Sequence, residues 1–383
     1  MLSSLKILRL ERIFDLALPL LATLAALAIG AVMMILLGVN PVEAFGALIE
    51  GAFGSPNAMA DTIVKATPLL FVGLGICIAF RGGVINIGGE GQLVAGAVAA
   101  TYVGLVFPEA SGWLIIPLAL LAGFLAGAVW GGIPGLLKAY FNVNEILSTI
   151  MMNQIAVQGM NFLLRGPMID PVQLEAASRI PQTARLADAF DLPRLVPTRL
   201  HLGAALAVFA AILVFIFLWR TTIGYRIRAV GLNPNASRYA GINVPRYIVL
   251  ALLLSGAFAG LAGAVQVYGV NHRMFTDGSA TGFTGGAGFN GIVAALFGQL
   301  HPIWTIPASF FFGALLVGAN SMQRAVQVPS ALITALNGLI VVFVVSSEFW
   351  QRRRARRRLA AAIMEEQAPA PEAGLETEEE AAT

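Results

Sequence analysis

Long apolar stretches recur along this chain, and no other feature limits its fold as strongly. Ten can be marked, at residues 14–38, 62–80, 86–107, 113–137, 145–164, 201–219, 247–269, 284–300, 302–320 and 331–349. A helix of roughly 20 apolar residues crosses the hydrocarbon core of a bilayer. The pattern therefore predicts an all-α polytopic membrane protein with about 10 transmembrane helices. Composition agrees: charged residues make up 12% of the chain, against about 25% in soluble domains. The third and eighth stretches are rich in glycine and polar residues and are the least regular.

Charge sets the expected orientation. Lys6, Arg9 and Arg12 precede the first stretch, and six arginines lie between Arg352 and Arg358 after the last. Positive flanks stay on the cytoplasmic side, so both termini are expected there. Residues 220–246 then fall inside, with Arg220, Arg226, Arg228, Arg238 and Arg246, and residues 165–200 fall outside. Five arginines in 165–200 run against the rule, offset by Asp170, Glu175, Asp188 and Asp191. The expected organisation is a cytoplasmic N-terminus over 1–13, a transmembrane domain over 14–350 and a cytoplasmic segment over 351–383. In that last segment the arginine cluster suits anionic lipid head groups. The Ala-, Pro- and Glu-rich tail has no Lys or Arg after Leu359 and is expected to be disordered. No soluble basic domain accompanies the arginines, so nucleic acid is not an expected partner.

Residues 62–164 and 247–349 each hold four apolar stretches. Each has a Gly-rich polar interruption after its first: Arg81–Gln92 in one, Asp277–Gly291 in the other. With ten spans the two sets enter the membrane from opposite sides, which predicts two inverted four-helix repeats. Paired interruptions of this kind point to a transport pathway, because non-helical backbone at membrane depth must be buried in protein or line water. Asn86, Glu90 and Gln92 bring polar side chains to the first interruption and Asn290 to the second. Asn153 and Gln154 lie inside the fifth stretch and are expected to face the bundle interior or a cavity. Glu90, set deepest among apolar flanks, also suits a structural role, accepting backbone N–H groups at a broken helix end.

Other motifs concern packing. Gly123, Gly127, Gly131 and Gly135 form a ridge with four-residue spacing, and Gly256 and Gly260 form another. Such ridges let helices approach closely. Asn142 or Asn144 can cap the fifth helix, with Glu145 in its first turn. Residues 221–245 are polar and basic, with a short helix expected near Pro234–Ala240. Gly286–Gly291 spells GxGxxG, but no strand precedes it and no acidic residue follows at about 20 positions, so it is not a dinucleotide fingerprint.

The stretches GGVINIGGEGQ (82–92), NVNEILSTIMMNQIA (142–156), TTIGYRIRAVGLNPNASRYAGI (221–242) and GFTGGAGFNGIVAALFG (282–298) resemble the branched-chain amino acid and simple-sugar permease superfamily of ABC importers. Within it they are most similar to the nucleoside (guanosine-type) permeases. The resemblance covers about residues 15–350. It implies a bacterial inner-membrane permease that forms the translocation pathway with a second, homologous permease subunit. A cytoplasmic ATPase would dock on the 221–242 loop, and a periplasmic or lipoprotein binding protein would deliver substrate. Gly231, Asn233, Pro234, Ala236 and Arg238 are the expected coupling residues. Asn86, Glu90, Gln92, Asn153 and Asn290 are the expected pathway residues.

Chemistry of the chain's own is not expected. It lacks the Walker A pattern, so ATP would be hydrolysed by the partner subunit, and no cofactor is expected on this chain. Neither HExxH nor GxSxG occurs. The single cysteine, Cys77, excludes an internal disulfide and a CxxC site, and the three histidines are far apart in sequence. An ion-driven transporter would carry several ionisable groups in its spans, whereas Glu90 and Glu145 stand nearly alone. A simple sugar or a branched-chain amino acid remains an alternative substrate for the same fold.

Overall fold

A computed structural model describes residues 21–176 and 179–327, with scattered positions between 329 and 353. The N-terminal segment 1–13, nine of the nineteen residues of the tenth apolar stretch, the arginine cluster apart from Arg353, and the acidic tail lie outside the described residues. The order of helices is α1 (Leu21–Leu36), α2 (Pro41–Phe53), α3 (Pro56–Arg81), α4 (Gly89–Val106), α5 (Gly112–Phe141) and α6 (Glu145–Arg165). There follow α7 (Pro171–Glu175), α8 (Leu202–Arg220), α9 (Thr222–Leu232), α10 (Pro234–Tyr239), α11 (Val244–Gln266, with a π turn over Val267–Asn271), α12 (Ala280–Thr284), α13 (Ala287–Phe297) and α14 (Pro302–Val326).

Among the described residues five helices are long and apolar enough to cross a membrane: α3, α5, α8, α11 with its π turn, and α14. Helices α1 and α13 are apolar but shorter. Helices α4 and α6 fall outside that set although they have 18 and 21 residues. They are the two that carry Glu90, Gln92 and Asn153. The eighth apolar stretch holds one short helix, α13, which a break at Gly285 and Gly286 separates from α12.

Helix starts follow their capping residues. The Ser55 hydroxyl accepts from Ala58 N at 3.1 Å at the head of α3, where Pro56 fills the first position. The Asn144 side chain accepts from Ile146 N at 2.9 Å and Leu147 N at 3.3 Å and so starts α6. Asn142, the other candidate cap, instead ends α5 in the left-handed region at φ 53°. Lys138 and Glu145 pair at 2.9 Å across this corner. Prolines inside α3, α5 and α14 are accommodated, as happens where neighbouring helices support the freed backbone groups.

Packing follows the expected internal symmetry. Helix α5 lies along α11, and α14 lies along α3; α4 packs on α11, and α13 on α3. Exchanging α3 for α11, α4 for α12–α13 and α5 for α14 maps these four contacts onto one another. The glycine ridges of α5 and α11 face each other. A methyl group at Gly127 would strike the Gly256 carbonyl, and one at Gly131 would lie 2.6 Å from the Leu252 carbonyl. Helix–helix association in lipid rests on such close contact, since lipid tails are as apolar as leucine.

Two elements were not foreseen from the sequence. Helix α2 packs on α14, where Gly318 meets Leu48 and Gly51 meets Ser321. Residues 179–200 pack against the chain after α11: Thr183 N donates to Met274 O, Leu186 N to His272 O and Leu192 N to Tyr268 O, each at 2.9 Å. Leu186, Phe190 and Leu192 are buried beneath them. Helices α9 and α10 lie at the opposite end of the bundle, beside the C-terminal end of α3.

Candidate functional site

The first interruption, residues 82–88, descends from the end of α3 to the head of α4 as a hydrogen-bonded node. Asn86 Nδ2 donates to Gln92 Oε1 at 2.9 Å and to Ser255 Oγ of α11 at 2.8 Å. Asn86 Oδ1 accepts from Gly88 N at 2.8 Å and Gln92 Nε2 at 3.1 Å. Asn153 reaches in from α6: Nδ2 donates to Ile87 O at 2.9 Å and Oδ1 accepts from Gly91 N at 2.8 Å. Thr149, one turn earlier, accepts from Ile87 N at 3.4 Å. Four of the five expected pathway residues, Asn86, Glu90, Gln92 and Asn153, are thus buried together. An unpartnered polar group in hydrocarbon costs several kcal/mol, and this network supplies the partners from within the chain. Gln154, expected to face inward, is instead exposed on the outside of the described chain, because α6 turns its Thr149–Asn153 edge to the node.

Glu90 does something different from its neighbours. It sits in the first turn of α4, yet its Oε1 accepts from Gly288 N at 3.0 Å and Phe289 N at 3.3 Å, the first turn of α13. The carboxylate caps the positive end of a helix from the other repeat. The two helix heads pass each other at Gly89 and Gly288, so closely that a methyl at Gly288 would collide with Glu90 N. Glu90 Oε2 is buried and closes no hydrogen bond among the described residues.

The second interruption is held more lightly. Gly285 and Gly286 adopt φ 62° and 75°, a region glycine occupies without strain. Thr284 accepts from Gly286 N at 3.1 Å, and Ser279 caps α12 by accepting from Gly282 N at 3.2 Å. Ser279 also donates to Asp277 through its backbone N–H and hydroxyl, which holds that carboxyl below its ordinary range. Asn290, the fifth expected pathway residue, is half-buried; its side chain makes no hydrogen bond among the described residues, and Phe289 beside it is exposed. Lys65 of α3 reaches toward this break, with its Nζ 3.7 Å from where a Cβ of Gly285 would lie. Lys65 was overlooked as an ionisable group within a span. The signal was present, a lysine four residues into an apolar run.

The expected coupling residues occupy the end of the bundle nearest Arg81. Asn233 caps α10, accepting from Ala236 N at 3.0 Å, and Pro234 opens the helix. Asn233, Pro234, Ala236 and Arg238 are exposed. So are Leu232, at 87%, and Tyr239, at 95%, two large side chains that sequence reasoning did not single out. Gly231 is placed otherwise. It is half-buried, and a methyl on it would strike the carbonyl of Arg81 and lie 2.7 Å from Gly83 N, so α9 rests directly on the backbone that leads into the first interruption. Nearby, Arg81 donates to Leu300 O at 3.2 Å and Gln299 O at 3.3 Å. The guanidinium groups of Arg81 and Arg228 each lie 5.4 Å from the Trp219 ring centroid.

Helices paired by an inverted repeat, two polar breaks meeting at their crossing and an exposed short helix at one end describe a multi-pass membrane permease. The comparisons specify it further. Residues 58–345 match the family described as the branched-chain amino acid transport system permease component, and the chain belongs to that family. The guanosine ABC transporter permease protein NupP of Bacillus subtilis is 38% identical over 88% of this chain and 95% of its own length. The glucose ABC transporter permease protein TsgB13 of Haloferax volcanii is 35% identical over 87% of each. The nucleoside ABC transporter permease protein NupB of Lactococcus lactis is 30% identical over 85% of this chain and 89% of its own. No solved structure matches the chain significantly.

Proposed function

We propose that this permease imports nucleosides, drawing its energy from a separate ATPase. The observation that carries the substrate is the near full-length similarity to a guanosine permease and a nucleoside permease. The glucose permease at 35% identity supports a simple sugar as the second reading. In this account the α9–α10 end is cytoplasmic, both termini lie on that side, and residues 165–200 face outward. A second permease subunit completes the pathway, and a binding protein presents substrate at the outer end.

Contacts within the chain support a route of coupling. The exposed face of α10 receives the ATPase, with Leu232 and Tyr239 as apolar anchors. Displacement of α10 is passed by Gly231 to Gly82 and Gly83, and from there to the node around Asn86. Glu90 then relays it to the head of α13 and the Gly285–Gly286 break. Asn290 and Phe289, turned out of the node, meet the substrate. The buried four set the backbone on which those two ride.

Uptake by the reconstituted complex in proteoliposomes tests the reading. Labelled guanosine should accumulate on addition of ATP, and excess unlabelled nucleoside should compete while glucose does not. Competition by glucose alone would transfer the assignment to sugars. Ala236→Glu should abolish ATPase co-purification and leave membrane insertion intact; retention of the ATPase would remove α10 as the docking helix.

A further inference from the structure

At the end of the bundle opposite α10 lies a cavity of about 700 Å³ between α3, α14, the 166–200 segment and the turn after α11. Its wall carries Lys65, Arg194, Arg199 and Arg324 against one carboxylate, Asp61. Among the described residues the ion pairs are Lys138–Glu145, Arg185–Asp188 and His272–Asp191, so none of the four cations is neutralised by a carboxylate. Asn271, also on the wall, has its side-chain Nδ2 buried without an acceptor. Like charges gathered around one cavity repel, and an anion bound among them relieves the repulsion.

From this we infer an oxyanion site for a phosphate group at the mouth of the permease. One ammonium and three guanidinium forks line it, and such forks match the geometry of phosphate oxygens. The volume lies within the range of about 300–1,000 Å³ typical of small-molecule sites, far larger than one phosphate needs. A phosphate monoester with a nucleoside-sized remainder fits the space better than the free ion. Lys65 links the cavity to the Gly285–Gly286 break. A phosphorylated compound seated here would therefore stand over the break and obstruct entry of neutral substrate. The anion site rests on the cavity alone; only the obstruction rests on the proposed nucleoside reading.

Binding of guanosine 5′-monophosphate, inorganic phosphate and guanosine to the resting complex in nanodiscs, without ATP, separates these claims. The monophosphate should bind with an affinity that falls as salt rises, more tightly than inorganic phosphate. Lys65→Gln, Arg199→Gln and Arg324→Gln should each weaken binding about tenfold, whereas Arg185→Gln, outside the cavity, should not. Equal affinity for inorganic phosphate would keep the oxyanion site and overturn the monoester. Absence of binding by either anion at millimolar concentration would overturn the site. So would loss of partner-protein docking in the three variants without loss of anion binding, which would give the cavity to acidic side chains of that protein. Guanosine uptake in the same vesicles reports separately on the nucleoside reading, since a sugar permease could still hold the phosphate.

Discussion

The two interruptions occupy equivalent places in the inverted repeats, yet they are built from different materials. The first is tied by side chains from three helices: Asn86 and Gln92 at its own end, Ser255 from α11, and Thr149 and Asn153 from α6. The second is shaped by its own short-range turns at Ser279 and Thr284 and by two glycines at positive φ. Its head is held to the first by one carboxylate, Glu90. A buried, fully bonded network is rigid because every alternative arrangement leaves polar groups unpartnered. A break made of glycine and local turns has no such penalty. The first interruption is thus the fixed member of the pair and the second the adjustable one.

The largest effect is expected where the two touch. Gly288→Ala places a methyl against the backbone of Glu90, which has no side chain to yield. Transport by reconstituted vesicles should fall at least about tenfold, because close-packed helices cannot absorb an added methyl without shifting; activity within twofold of the parent would show that the two helix heads need not touch. Asn86→Ala should come next. It orphans Gly88 N and Ser255 Oγ and removes both links to Gln92, at a cost of about 3 kcal/mol, read as a lowered unfolding temperature in detergent.

Substitutions on the adjustable side should cost less. The methyl of Gly285→Ala meets only Lys65 Nζ, at an ordinary contact distance of 3.7 Å, so its penalty is the positive φ, about 1–2 kcal/mol. The comparison would be reversed if this variant melted below Asn86→Ala. The smallest effect is expected of Glu90→Gln, which keeps an acceptor oxygen and loses the charge at the head of α13, about 1 kcal/mol. That loss should appear as faster thiol labelling of a cysteine at Asn290, in a Cys77→Ser background, with little change in melting. Unchanged labelling would mean that Glu90 does not restrain α13.

Much of this arrangement could be read before folding was considered, and the omissions have a common cause. Spans and breaks were legible because hydropathy is a local property of the sequence. The cap of α6 was legible to within two asparagines, since a cap acts on the residues that follow it, and the fold decides for Asn144 over Asn142. The paired glycine ridges were legible as spacing, though not which ridge met which. Ser255 and Thr149 were not legible as node partners: each is an ordinary hydroxyl in an apolar helix, and only tertiary contact across 169 or 62 positions gives it a role. The target of Glu90, 198 residues away, was hidden for the same reason, although its function as a helix cap was foreseen. Helix α2 escaped because 13 residues fall short of a span, and Lys65 because a single charge was averaged away by its apolar neighbours.

The glycine contact between α5 and α11 has a gradient along it. A methyl would strike backbone at Gly127, approach backbone at 2.6 Å from Gly131, and at Gly135 meet its nearest atom, Val249 Cα, at 3.2 Å. At Gly123 the nearest atom is a side-chain methyl, Ala264 Cβ, at 2.7 Å. The helices therefore come closest near Gly127 and Gly260 and diverge toward the end that carries α9 and α10. Two rods in backbone contact at one crossing resist sliding and separation, while a small change of angle there displaces only a few atoms. Magnified along the half-helix beyond the crossing, that angle becomes a shift of its far end. The joint is a pair of scissors whose rivet is made of absent side chains, with the longer opening on the side where α10 is exposed.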